Sequence, residues 1–191
     1  MNAQRQRAVF LDRDGTINIE KEYLHRPEDF DFIANAPAAI RQLKDAGFLV
    51  IVVTNQSGVA RGFYWRAAVC RLHEHLQLEL HKFGTRIDGF YICPHHPTAG
   101  TGDYRAACTC RKGAPGMLLQ AASDHNIDLG RSFMVGDKLA DIEAGQAAGC
   151  RALLVRTGYG TTDEPQVAAR FPGTKVFNNL ADAAAYILAG Q

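Results

Sequence analysis

Ala8-Val9-Phe10-Leu11-Asp12-Arg13-Asp14-Gly15-Thr16 is the stretch from which the rest of the chain can be read. Four consecutive apolar residues read as a parallel strand buried on both faces. The strand stops abruptly at two carboxylates two residues apart, followed by Gly-Thr. A buried strand with polar residues only at its carboxyl end is the signature of an open α/β sheet, where ligands sit just beyond the strand ends.

The same pattern recurs downstream. Residues 48–53 are six apolar residues ending in Thr54-Asn55-Gln56-Ser57-Gly58. Residues 87–92 form a third predicted strand and residues 131–135 a fourth, the latter ending in Gly136-Asp137-Lys138 with Asp141 four positions after Asp137. Residues 151–155 and 175–177 complete the set. Between them lie helical patterns: one opened by Pro37 and closed by Gly47, one over 65–82, a short one from Pro115, one from near Lys138 to Gly149, and one over 180–188. His73, His75 and His81 fall on the second helix; His73 and His75 do not share a face, and all three read as surface or internally satisfied histidines. Strands alternating with helices predict a doubly wound, Rossmann-like parallel sheet with helices on both faces.

At 191 residues the chain suits a single domain over 1–191. An apolar fraction of 47%, a charged fraction of 21% and a net charge of +1 give no electrostatic case for a nucleic-acid or membrane surface. Residues 1–7 pass into the first strand without a signal-peptide pattern, so a cytoplasmic location is expected. The five cysteines are then expected to be reduced.

The strand ends carry the candidate chemistry. Asp12 can supply a carboxylate oxygen as nucleophile toward phosphorus. Asp14, on the turn, can protonate a departing alcohol and later deprotonate water. The hydroxyl and amides of residues 54–57 can donate to an anion at the sheet edge. Asp137 and Asp141 can approach one another across a first helical turn, giving a metal ligand and a supporting acid.

Residues 93–110 break the pattern: Cys93-Pro94-His95-His96-Pro97, a Gly/Thr-rich segment, then Cys108-Thr109-Cys110. A loop this long needs something to hold it. Tetrahedral zinc bound by Cys93, His95, Cys108 and Cys110 would do so, with His96 as the alternative to His95. Arg111 and Lys112 follow directly, so the zinc loop would deliver two cations to a fixed place, suited to phosphoryl groups.

With Asp12-Arg13-Asp14-Gly15-Thr16, Thr54-Asn55, Lys112 and Gly136-Asp137 in order, the chain resembles the haloacid dehalogenase superfamily of phosphatases, most specifically its histidinol-phosphate-phosphatase-like members, which share the zinc loop. The resemblance implies a phosphatase with Asp12 as nucleophile and Asp14 as general acid/base. It implies Mg²⁺ held by Asp12, Asp14 (through its backbone carbonyl) and Asp137, with Thr54 and Lys112 holding the phosphoryl group. Contacts to a small sugar-phosphate substrate would come from Glu20, Lys21, Glu22, Tyr23, Asn55, Gln56, Ser57 and Arg111, with Lys138 alongside. It further implies a form without a large cap domain, and a monomer is expected. Family members usually carry proline after the Arg-Lys pair; this chain has Gly113, with Pro115 two residues later. Rival readings of the same acids are a phosphorylatable signalling domain and a zinc-stabilised interaction module.

Overall fold

The computed structural model describes residues 5–190; residues 1–4, part of the expected N-terminal run, lie outside the described residues. Six strands, β1 (Ala8–Leu11), β2 (Leu49–Asn55), β3 (Gly89–Cys93), β4 (Phe133–Gly136), β5 (Arg151–Val155) and β6 (Lys175–Phe177), form one parallel sheet in the order β3-β2-β1-β4-β5-β6. The doubly wound expectation holds. Strand order reverses between β1 and β4, and the crevice outside that switch point is where such sheets bind ligands.

Alternate residues of each strand face opposite sides, and the helices divide accordingly. Val9, Leu11, Val50, Val52 and Val135 pack against α1 (Ala36–Asp45) and α6 (Leu180–Ala189), with Leu76 and Leu80 of α2 (Arg66–His81) in the same cluster. Phe10, Ile51, Val53 and Met134 pack against α3 (Gly116–Asp124) and α4 (Leu139–Ala148). Burying β1 on both faces makes it rigid, so the polar residues that leave its carboxyl end start from a fixed point.

The sequence reading did not anticipate α5 (Gly160–Arg170), which packs Val167 beside Ile142 and Leu154. The helix is mostly polar and carries Pro165, so its apolar periodicity is too weak to see. No cap domain is inserted among the described residues; the longer connections running over the carboxyl end of the sheet are residues 12–35, 56–65 and 94–115. No helix among the described residues is long and apolar enough to cross a membrane.

Candidate functional site

A cleft of about 470 Å³ opens at the carboxyl ends of the central strands, lined among others by Asp12, Asp14, Thr54, Lys112, Lys138 and Asp141. Asp12 leaves β1 and its carboxylate accepts the N–H of Arg13 at 2.7 Å. The turn that follows needs Gly15 at φ +83, and a Cβ there would collide with the Asp137 carboxylate. Asp12, Asp137 and Asp141 each bring a carboxylate oxygen within 4.8 Å of the others, all three buried.

Crowding has electrostatic consequences. Burial, followed by the charges of Asp12 and Asp141, pushes Asp137 up to about 8. Its Oδ1 is buried without a hydrogen-bond partner, while Oδ2 accepts the N–H of Tyr159 at 2.8 Å. Burial likewise raises Asp141, to about 6, against the opposing pull of Lys112. Lys112 lies between them: its Nζ is 2.6 Å from Asp12 Oδ1 and 2.7 Å from Asp141 Oδ1. Burial disfavours the Lys112 ammonium, but these two carboxylates outweigh it and hold the group above its ordinary range. It is a fixed cation at the site.

The backbone of Lys112 is pinned from two sides. Its N–H donates to Asn55 Oδ1 at 2.9 Å and its carbonyl accepts from Asn55 Nδ2 at 3.2 Å, so the carboxamide pairs with the loop as another strand would. The next residue, Gly113, has φ +74 and donates its N–H to the Ala140 carbonyl. Proline, fixed near −65° and lacking an N–H, could satisfy neither condition.

Asp14 is held differently. Its oxygens accept from Arg13, from Asn18 Nδ2 at 3.0 Å and from Gln56 Nε2 at 3.0 Å, and Gln56 also donates to Thr54 Oγ1. Burial works to raise its carboxyl, and the Arg13 charge with these bonds brings it below the ordinary range.

The zinc-loop residues converge. Cys93 Sγ lies 3.6 Å from Cys108 Sγ and 3.7 Å from His95 Nδ1, and Cys110 Sγ lies 3.3 Å from Cys108 Sγ and 3.4 Å from His95 Nδ1. Edges of a tetrahedron with metal–sulfur bonds of about 2.3 Å and metal–nitrogen bonds of about 2.0 Å are about 3.5–3.8 Å long, so this set fits zinc. His95 stands in the cluster. His96 does not: its Nδ1 accepts from Thr98 and Ala99 and its Nε2 faces Arg61.

Of the remaining sequence-derived candidates, Glu20, Glu22, Tyr23, Asn55, Gln56, Ser57 and Arg111 also line the cleft. Lys21 is turned away. Its ammonium donates to the Asp29 carbonyl and to Asp31 Oδ2, both at 2.6 Å, because the nearest carboxylate lies on the outer side of its loop. Lys138 lines the cleft but is engaged, 3.1 Å from Glu20 Oε2 and 4.5 Å from the Tyr159 ring. Tyr64 and Tyr159 also line the cleft and were not foreseen, since an aromatic in a polar loop carries no positional signal of its own.

Comparison with known proteins gives these features a family. Residues 109–183 match a family model described as HAD-hydrolase-like. D-glycero-beta-D-manno-heptose-1,7-bisphosphate 7-phosphatase of Haemophilus ducreyi is 45% identical over 184 residues, covering 95% of this chain and 98% of its own. The protein of the same name from Escherichia coli K12 is 46% identical over 176 residues, covering 92% of this chain and 90% of its own. The chain belongs to the heptose-1,7-bisphosphate phosphatase family. A solved member, D,D-heptose 1,7-bisphosphate phosphatase from B. bronchiseptica complexed with magnesium and phosphate, superposes with a TM-score of 0.87 at 33% identity, covering 97% of this chain and 100% of its own. Its counterpart from Burkholderia thailandensis gives 0.72 at 31% identity, covering 96% and 99%. As a member of this family the chain is a phosphoric monoester hydrolase that acts on a small phosphorylated molecule.

Proposed function

We propose that the chain removes the 7-phosphate of D-glycero-D-manno-heptose 1,7-bisphosphate, a step of bacterial heptose synthesis, through an aspartyl-phosphate on Asp12. The names of its relatives support the substrate. The observation that carries the reading is that the cations of two adjacent residues line one cleft with different partners. Lys112 is locked onto Asp12, where a phosphoryl group would be transferred. Arg111 lines the same cleft, its guanidinium donates to the His95 carbonyl, and it pairs with no carboxylate among the described residues. A bisphosphate has use for both, one phosphate at each, and a guanidinium can grip the second through two parallel bonds.

In the first step an Asp12 carboxylate oxygen attacks phosphorus, the bond from phosphorus to the sugar oxygen breaks, and the Asp14 carboxyl proton passes to that oxygen. In the second, water attacks the phosphorus, its proton returns to Asp14, and the bond to Asp12 breaks. Thr54 and Lys112 hold the phosphoryl oxygens and share the developing charge. Glu20, Glu22, Tyr23, Gln56 and Ser57 provide acceptors, donors and an aromatic face for a polyhydroxylated substrate, with Lys138 held at Glu20 for the same purpose.

Mg²⁺ suits the buried carboxylate cluster. Three buried acids with an unpartnered Asp137 oxygen and one resident ammonium leave negative charge that a divalent cation would neutralise. Asp12, Asp137 and the Asp14 carbonyl would hold it, and Asp141 supports the site through Lys112. When bound, the ion supplies Lewis-acid stabilisation of charge on the phosphoryl oxygens. Zn²⁺ at Cys93, His95, Cys108 and Cys110 is structural, since four protein ligands leave no open position.

We read residues 1–191 as one phosphatase unit with its zinc loop at 93–110, acting as a monomer in the cytoplasm. A thiolate zinc site requires reduced cysteines and so a reducing compartment. Phosphate release measured over a panel of sugar phosphates and histidinol phosphate, with and without Mg²⁺, tests the reading. The heptose bisphosphate should give the highest kcat/KM. Preference for histidinol phosphate, or no release from any of them, overturns it.

A further inference from the structure

Arg13 separates the two catalytic aspartates in sequence, yet its side chain is fully buried. A buried guanidinium needs an acceptor for each donor, and the acceptors here come from three separate parts of the chain. Nε and Nη2 grip Asp14, with the closest approach 2.8 Å to Oδ2. Nη2 also donates to the Leu24 carbonyl at 3.1 Å, in the loop that brings Glu20, Glu22 and Tyr23 to the cleft. Nη1 lies 3.2 Å from Nε2 of His73, on α2.

His73 is placed to do this one thing. It is buried, and its ring stacks on Phe90 of β3 at 4.4 Å with an angle of 19° between planes, which fixes the direction of Nε2. Arginine can only donate, so Nε2 is the acceptor and the imidazole proton sits on Nδ1. Burial and the Arg13 charge both favour that neutral ring. The arrangement also sorts the Asp14 oxygens. Oδ1 accepts from Arg13 Nε, Arg13 Nη2 and Asn18, whereas Oδ2 accepts from Arg13 Nη2 and Gln56, and Gln56 is itself tied to Thr54.

We propose that His73 and Arg13 are positioning residues that fix the orientation of the Asp14 carboxyl group from which a proton passes to the leaving oxygen. This rests on reading Asp14 as the general acid. Orienting a catalytic group within a fraction of an ångström governs its rate, and without the His73 acceptor Nη1 becomes a buried unpaired donor that pulls against the grip of Nε and Nη2 on Asp14. Neither residue lines the cleft. A misplaced acid lowers kcat on the sugar, whereas a loosened Leu24 loop would raise its KM with kcat kept, and that second pattern overturns the positioning role.

The test compares kcat/KM, which covers steps up to departure of the first product, on two substrates: the heptose bisphosphate, whose alkoxide must be protonated, and p-nitrophenyl phosphate, whose phenolate leaves unaided. Asp14→Asn should lose about 100-fold or more on the sugar and far less on the aryl ester. His73→Phe keeps the ring on Phe90 but removes the acceptor; it should lose about tenfold on the sugar and stay within twofold on the aryl ester. His73→Gln, which keeps an acceptor, should recover most of the sugar activity. Arg13→Lys, with one donor group in place of the fork, should reproduce the His73→Phe pattern and decides alone if that variant does not fold. Equal losses on both substrates, or no loss, overturn the positioning role while Asp14 still discriminates between them. An Asp14→Asn variant that treats the two substrates alike overturns the acid assignment itself.

Discussion

The ammonium of Lys112 lies 2.6 Å from Oδ1 of Asp12, joining the segment just after the Cys/His loop to the end of the first strand. A second carboxylate, Asp141 Oδ1, lies 2.7 Å away on the other side. All three groups are out of solvent, so the lysine holds the Asp12 carboxylate in place and balances part of the acid cluster.

Lys112→Met should therefore do two things at once. Loss of one fixed charge at the transferring phosphoryl group costs about 10²–10³ in kcat, by comparison with removal of a single oxyanion-stabilising donor. It also leaves buried carboxylates without their cation, which costs about 3–5 kcal/mol of stability without metal. Urea unfolding with and without Mg²⁺ measures the second effect. A metal-free midpoint equal to that of the wild type would show that the pair contributes nothing.

Asp12→Asn preserves shape and removes the nucleophile. Turnover should vanish while far-ultraviolet circular dichroism and zinc content are unchanged. Phosphate release at the wild-type rate would exclude Asp12 from its role.

Cys108→Ser removes one of the clustered sulfurs. The variant should lose zinc, and KM should rise as Arg111 and Lys112 drift from Asn55 and the cleft. Metal analysis with steady-state kinetics checks both, and full zinc occupancy with normal constants would contradict the ligand assignment.

Mg²⁺ affinity should climb with pH. Burial, with Asp12 and Asp141 nearby, raises Asp137 to about 8, so below that pH a proton must leave before a cation can bind. For a carboxyl raised on folding, the charged form is the costly one. The metal-free protein thus loses this contribution to stability progressively between the ordinary carboxylate range and about pH 8. The rise in Tm on adding Mg²⁺ should be larger at pH 8 than at pH 5.5. Equal rises at the two values would count against a protonated cluster.

Gly113→Pro should destabilise the protein by about 1–3 kcal/mol and lower kcat. The reason is local: φ is +74 and the N–H is bonded to Ala140. Gly113→Ala keeps the N–H and should cost less. A proline variant as stable and active as the wild type would mean that this backbone readily adopts another path.

What could be read from the sequence follows from how each feature is encoded. Strands β1, β2, β4 and β5 are uninterrupted apolar runs, so their existence and the side on which polar residues emerge are local properties. Asp12, Asp14 and Asp137 sit at the ends of those runs and inherit their positions, and the Cys/His loop leaves the end of β3 in the same way. Arg13 and His73 were invisible as a pair because they meet across 60 positions and neither belongs to a periodic pattern. The direction of Lys21 was set by Asp31 and a backbone carbonyl in an irregular loop, which no spacing rule reports. Helix α5 was lost because only Gly160 and Val167 of it are buried.

The carboxamide of Asn55 clasps the lysine's main chain on both its donor and its acceptor. The Lys112 backbone is thereby registered to the sheet itself, and the stretch between His96 and Cys108 does not set its height above Asp12. Evolution can lengthen, shorten or rewrite that stretch while the reaction machinery stays in register. No residue of 97–107 lines the cleft, so exchanging that segment between relatives should leave the rate of cleavage unchanged.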